Sequence, residues 1–362
     1  MAQKKDSFWY FIFIISSGCL VFFTLFSIYS NIAMKDDYKI LFAIDLIRHG
    51  DRAPLYKIPG ISDYWNDMEK GSLTAKGIEE SQILGEKLRY YYTQETKLLP
   101  RNYNREDMKV WSTDSQRTKD TARNILKGFY PFQAHEIEIP FYPQDHDPLI
   151  LIPKEERVRL RDKYIFVNTK ENDIKRIREL LESFRSRFSI EDQGDSQILK
   201  IGDILSVNKH HNLPLPESIS KAEEKEILQL SENLKINRFR APEVACKNAA
   251  PLLREIVSQI DKHSDSTRSP DTLKYIMYVA HDINLASALT LLSYKVDEFP
   301  PYNSNIRFEL AQKKNNKKLY VKVSYDDTKK NKVIRTSFFQ YCPLEKFTDH
   351  MSQSLKDTCA SF

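Results

Sequence analysis

Three short apolar runs, each ending in ionisable side chains and each followed by apolar residues at helical spacing, constrain this chain most. Ile40 to Ile47 is nearly continuous in apolar residues apart from Asp45, and it runs into Arg48-His49-Gly50. A strand buried on both faces reads this way. Met108 to Ser112 precedes Thr113-Asp114 and a segment with Ala122, Ile125, Leu126 and Phe129 on one helical face, Arg117 falling in its first turn. Tyr275 to Ala280 precedes His281-Asp282, after which Leu285, Ala288, Leu289 and Leu292 share a face. Strands alternating with helices predict an α/β fold, doubly wound, with a mainly parallel sheet flanked by helices. Ligands of such sheets bind at the carboxyl ends of the strands, so the three sets of ionisable groups are expected to converge. Guanidiniums and an imidazole at the end of a buried strand are costly to desolvate unless something pairs with them. The expected partner is an anion, which helix N-termini also favour.

The rest of the chain divides around that sheet. Leu73 to Tyr92 reads as an amphipathic helix packing through Leu84, Leu88 and Tyr91. Residues 131–254 carry no sheet pattern. Ile174, Ile177, Leu181, Phe184 and Phe188 mark one helix there, Pro216 to Asn237 a second, and Val244 to Ile260 a third that Pro251 is expected to kink or restart. Ile306 to Ala311, Leu319 to Tyr325 and Val333 to Phe339 read as antiparallel edge strands near the C-terminus. The expected organisation is an N-terminal segment over 1–35, an α/β domain over 36–130 and 255–362, and a helical cap insertion over 131–254.

The N-terminal segment has its own logic. Lys4 and Lys5 precede an uncharged stretch from Ser7 to Ser30, long enough to cross a bilayer. The basic residues before it favour a cytoplasmic N-terminus. This predicts a membrane protein with a single-pass type II signal anchor and the rest of the chain lumenal or extracellular, the alternative being a secreted chain after cleavage of a signal peptide. Of four cysteines, Cys19 lies in that stretch. Cys246, Cys342 and Cys359 then permit one intramolecular disulfide, for which Cys342 with Cys359 is the preferred pair.

Several functions are disfavoured. The 55 basic and 50 acidic residues are interspersed, so no nucleic-acid footprint is expected. The cluster Lys313, Lys314, Lys317 and Lys318 flanks Asn315-Asn316 and reads as a solvated hairpin turn. There is no CxxC and no HExxH, and Asp145-His146-Asp147 lies between Pro143 and Pro148 in a loop, so neither a metal nor a cofactor is expected.

The motifs resemble one family. "RHGDRAP" at Arg48 to Pro54 is similar to the R-H-G-x-R-x-P signature of the histidine acid phosphatases, and "MYVAHD" at Met277 to Asp282 resembles their second motif. "STDSQRT" around Arg117, "HNLPLP" at His211 to Pro216, "PPYNS" at Pro300 to Ser304 and "CPLEKF" at Cys342 to Phe347 follow the family's order. The resemblance implies hydrolysis of phosphomonoesters through a phosphohistidine intermediate on a phosphoglycerate-mutase-like α/β fold with a helical cap. It implies His49 as nucleophile and Asp282 as proton donor, with Arg48, Arg52, Arg117 and His281 at the phosphoryl group. Guanidiniums suit that role because they give charge-assisted, bidentate hydrogen bonds to phosphate oxygens. His211 and Asp147 are candidates for the substrate mouth. Departures also occur: Asn305 follows "PPYNS" where a Cys is frequent, and Ile283 stands in "HDIN" where a Thr is common. The substrate stays open among a small metabolite, a lipid phosphate and a phosphorylated glycan, and a homodimer is left open. A non-catalytic phospho-ligand-binding protein and a mutase-type phosphotransferase are the rival readings. Retention of both His49 and Asp282 favours catalysis, since binding alone needs only the arginines.

Overall fold

The long first strand, β1 (Tyr38–Arg48), is buried from Phe42 onward and organises the sheet around it. The structure, a computed structural model, describes residues 37–143, 147, 152–191, 194–264, 273–328 and 340–362. The expected membrane span, Asp145, His146 and the expected strand Val333 to Phe339 lie outside the described residues. Among the described residues no helix is long and apolar enough to cross a membrane.

β1 is followed by α1 (Ala75–Arg89), β2 (Met108–Ser112) and α2 (Gln116–Phe129). Thr74 caps α1, its side chain accepting from the Gly77 N–H, which satisfies one of the orphan donors of the first turn. Then come five helices: α3 (Lys154–Tyr164), α4 (Glu171–Phe188), α5 (Gln197–His210), α6 (Lys221–Arg240) and α7 (Pro242–Ser264). Ser220 and Glu223 close a reciprocal capping box at the start of α6. The chain returns to the sheet with β3 (Tyr275–Ala280) and continues through α8 (Asp282–Leu291), β4 (Asn305–Lys313), β5 (Leu319–Asp326), β6 (Cys342–Pro343) and α9 (Leu344–Cys359).

The strand order is β2-β3-β1-β4-β5-β6. β2, β3 and β1 run parallel, and β4, β5 and β6 continue the sheet antiparallel. Alternation along β1 sends Phe42, Ile44 and Leu46 to one face, against α7, α8 and α9, and Ala43 and Ile47 to the other, against α1 and α2. The sheet is therefore covered on both faces, as the strand–helix alternation predicts. A separate apolar core joins α4, α5 and α6 to Ile58 and Ile61 from the loop after β1, so the cap is pinned to the segment that leaves the first strand.

Two expectations need correction or refinement. The disulfide joins Cys246 to Cys359, and Cys342 is a buried free thiol. α9 packs on α7, which brings Cys359 beside Cys246, whereas Cys342 lies on β6 against Val321 of β5. Pro251 does not restart the helix: α7 is continuous, and Val244, Ala245, Leu252, Leu253, Ile256 and Ile260 on either side of the proline are all buried in the sheet's core. That packing outweighs the one backbone hydrogen bond a proline removes.

Candidate active site

Arg48 of β1 pairs in register with Ala280 of β3, and Ser112 of β2 pairs with Val279, so the three strand ends named from sequence lie side by side. His49 continues this ladder, its N–H donating to the Ala280 carbonyl at 3.0 Å. Its imidazole is held locally. Nδ1 lies 2.8 Å from the Gly50 carbonyl, and because a carbonyl only accepts, Nδ1 carries the proton and the lone pair is on Nε2. Gly50 is required here: a Cβ would come within 2.7 Å of Ser81 Oγ and 2.9 Å of the Gly77 carbonyl of α1. Burial and the positive fields of Arg117, Arg48 and Arg52 push the His49 pKa well below its usual value, so the ring is neutral.

The three arginines are buried around it. Arg48 donates to the Pro300 carbonyl at 2.5 Å and to Asp282 Oδ2 at 3.0 Å, and its guanidinium lies 4.2 Å from the Tyr302 ring centroid. Arg52 is held by Asp203 of α5 at 2.8 Å. Arg117, in the first turn of α2, donates to His281 Nδ1 at 3.1 Å. His281 therefore carries its proton on Nε2, which donates to Thr113 Oγ1 at 2.9 Å. Burial, then Arg117, keep His281 neutral, its pKa pushed well down. Arg117 itself is pushed down to about 10 by burial and by crowding against Arg52 and Arg48. The Nε atoms of Arg48, Arg52 and Arg117 are all buried without a hydrogen-bond partner. Buried donors are almost always paired, so three partnerless guanidinium N–H groups around His49 point to an anion as the missing acceptor.

Asp282 opens α8 and faces a cavity of about 280 Å³ between the sheet and the cap. Burial raises its pKa, but Arg48, Arg52 and Lys235 outweigh that, and the net shift is downward. All six residues singled out from sequence, His49, Asp282, Arg48, Arg52, Arg117 and His281, are thus gathered at one end of the parallel strands. His211 and Asp147 do not line the cavity beside Asp282. His211 instead bonds the buried Asp51 at 2.7 Å, tying the end of α5 to the loop after β1. Among the described residues no cluster of His, Cys, Asp or Glu could hold a metal ion.

Sequence reasoning missed Asp203, whose carboxylate orients Arg52 and also accepts from the Leu55 N–H at 2.8 Å. Its one signal is a lone carboxylate within the apolar run Ile198 to Val207. Asp45, unexplained in the sequence, is the acceptor for Tyr92, Tyr275, Asn305 and Arg307 at 2.8 to 2.9 Å, beneath the site.

Comparison with known proteins shows what the chain is similar to. The profile of a family described as "Histidine phosphatase superfamily (branch 2)" matches residues 39–189 and 220–326. Lysophosphatidic acid phosphatase type 6 of Homo sapiens is 26% identical over 292 residues, covering 79% of this chain and 67% of that protein. Testicular acid phosphatase of Mus musculus is 28% identical over 293 residues, covering 75% and 67%. In fold the chain is similar to the Hafnia alvei phytase solved with myo-inositol hexakis sulphate, with a TM-score of 0.64 and 19% identity over 89% of this chain and 98% of that one.

Proposed function

This chain belongs to branch 2 of the histidine phosphatase superfamily, a phosphomonoester hydrolase of the acid phosphatase type, and from that premise we propose that His49 is its nucleophile and Asp282 its proton donor. His49 Nε2 attacks phosphorus and forms the Nε2–P bond while the ester P–O bond breaks, and Asp282 gives its proton to the departing alkoxide. A water then attacks phosphorus, its proton goes to the Asp282 carboxylate, and phosphate leaves with the original imidazole restored. Arg48, Arg52 and Arg117 hold the phosphoryl oxygens in both steps. His281, neutral with Nδ1 accepting from Arg117, would donate to a phosphoryl oxygen only as an imidazolium, a form that a bound anion favours.

The observation that carries this reading is the His49 tautomer: a ring held through Nδ1 by its neighbour's carbonyl, with the Nε2 lone pair in a pocket of buried, partnerless guanidinium N–H groups. A protein that only bound phosphate would need the guanidiniums but not an oriented, neutral imidazole. Rapid-quench labelling with a 32P-labelled ester tests it. The expected product is an acid-labile, alkali-stable adduct on His49, and label on Ser112 or Thr113 would overturn the assignment.

The topology belongs to the same proposal. The uncharged stretch Ser7 to Ser30 after Lys4-Lys5 supports an uncleaved anchor with the catalytic domain lumenal or extracellular. The names of two relatives, "Lysosomal acid phosphatase" and "Prostatic acid phosphatase", are in keeping with such compartments. Intact chains should then resist carbonate extraction, whereas a soluble product shortened by about thirty residues would show a cleaved signal peptide.

A further inference from the structure

Several cations of helices α3 to α7 are paired with acids. Arg176 meets Glu226, Arg187 meets Glu223, and Arg159 and Lys163 both meet Glu243. The cavity beside Asp282 is lined in part by cations that are not so paired. From α6, Lys235 and Arg238 stand three residues apart on one face and line the same cavity as Asp282. Neither has a carboxylate in ion-pair contact among the described residues, and Arg238 Nε is buried with no hydrogen-bond partner. Arg238 rests on the Phe239 ring, its guanidinium carbon 5.0 Å from the centroid, and the Lys235 ammonium lies 5.3 Å from the Phe299 centroid. These rings hold the cations without neutralising them. The acids that line the cavity are Asp203 and Asp282, and Asp203 is taken by Arg52. Burial lowers the pKa of both Lys235 and Arg238, Arg238 to about 10, as expected of cations short of a counter-charge.

The side of Asp282 matters. The phosphoryl group is assigned to Arg48, Arg52 and Arg117, and the alcohol must lie within reach of the proton donor, so the cavity beyond Asp282 receives the alcohol portion. We propose that Lys235 and Arg238 form a second anion subsite there, so that the preferred substrate is a phosphomonoester whose alcohol carries a further phosphate or carboxylate. This rests on the phosphatase reading above and narrows its substrate class. Lys235 and Arg238 would be specificity residues that contact the alcohol's anion and take no part in the bond exchange.

Matched esters test it. Glycerol 3-phosphate and 3-phosphoglycerate differ in a neutral hydroxymethyl against a carboxylate, and propyl phosphate and propane-1,3-diyl bisphosphate differ in a second phosphate. Wild-type kcat/KM should favour the charged member of at least one pair by about tenfold or more, the effect of one charge-assisted contact. The pair that responds identifies the anion. Lys235→Met and Arg238→Met should each remove most of that preference while leaving p-nitrophenyl phosphate within about threefold, and Lys235→Arg should retain it. Wild-type activity with no preference in either pair, or a preference for dodecyl phosphate over both charged esters, overturns the subsite alone. Equal losses on charged and neutral esters in both Met variants also overturn it, because the cations would then be acting on Asp282 or on the fold. A wild-type enzyme inert towards every ester overturns the phosphatase reading and the subsite with it.

Discussion

Arg48 Nη2 lies 3.0 Å from Asp282 Oδ2, so a guanidinium assigned to the phosphoryl group is also the partner of the carboxylate assigned to protonate the leaving group. The two roles conflict in the free enzyme. An Asp beside Arg48 favours its charged form, yet a proton donor must hold its proton. The conflict resolves if a bound dianion draws the positive field of Arg48 and Arg52 to itself, since that field is what outweighs burial and depresses Asp282. With the field neutralised, burial dominates and the carboxyl protonates.

The first prediction is therefore proton uptake on anion binding. Because Asp282 is depressed, its ion pair contributes stability above the ordinary carboxyl pKa and loses it as pH falls through the lowered value. Anion binding moves that midpoint upward, so between the two values a proton enters the site. Sulfate is a suitable probe because it does not titrate near pH 5. Calorimetry at about pH 5 in buffers of different ionisation enthalpy should show net proton uptake, and Asp282→Asn should reduce it. His49 and His281, also depressed, account for any uptake that survives. Identical uptake in wild type and Asp282→Asn would mean that the anion leaves Asp282 ionised.

The second prediction concerns the support beneath the site. Asp45 is completely buried three residues before Arg48, and it pairs with Arg307 across the β1–β4 ladder at 2.9 Å. Asp45→Ala leaves the Arg307 guanidinium and two tyrosine hydroxyls short of an acceptor, so it should cost about 3–5 kcal/mol of stability. A double change of Asp45 and Arg307 to leucine should cost less than Asp45→Ala alone, because it leaves no buried charge unpaired. Urea unfolding measures both. A loss below about 1 kcal/mol for Asp45→Ala would show that water or a shifted partner reaches Arg307.

The comparison of Asp45 with Asp203 shows what a sequence of this kind reveals. The strand–helix junctions are legible because a parallel strand buried on both faces must be apolar throughout, and charges at its end stand out against that run. Asp45 is visible for the same reason, although its partners come from the π-helical turn Tyr90–Glu95 after α1, from β3 and from β4, and are fixed only by the assembled sheet. Asp203 is hidden because α5 is buried nearly all round, with Ile198, Ile201, Ile204, Leu205 and Val207 leaving no polar face to mark a helical period. Lys235 and Arg238 are hidden for the opposite reason: α6 is dense in charge, and a cavity-facing cation reads the same as a solvated one. The disulfide depended on the packing of α9 against α7, which cysteine spacing does not encode.

The last prediction separates Asp282 from the arginines by the leaving group each serves. A general acid matters most when the departing oxygen is a poor leaving group, contributing about 10²- to 10⁴-fold for an alkoxide and far less for an acidic phenol. Asp282→Asn removes the donated proton at nearly constant volume, so kcat/KM for propyl phosphate should fall by that order while p-nitrophenyl phosphate loses much less. The amide also leaves Arg48 without its anionic partner at 3.0 Å, but that change falls on phosphoryl binding and is common to both esters, so the ratio between them isolates the proton. Arg117→Ala supplies the contrast. Its guanidinium is buried against His281 and has a partnerless Nε, and as a phosphoryl ligand it should serve both esters alike, with losses that agree within about threefold. Equal losses for Asp282→Asn on the two esters would show that Asp282 positions Arg48 and donates no proton. The acid would then have to be sought in the loop that carries Asp147.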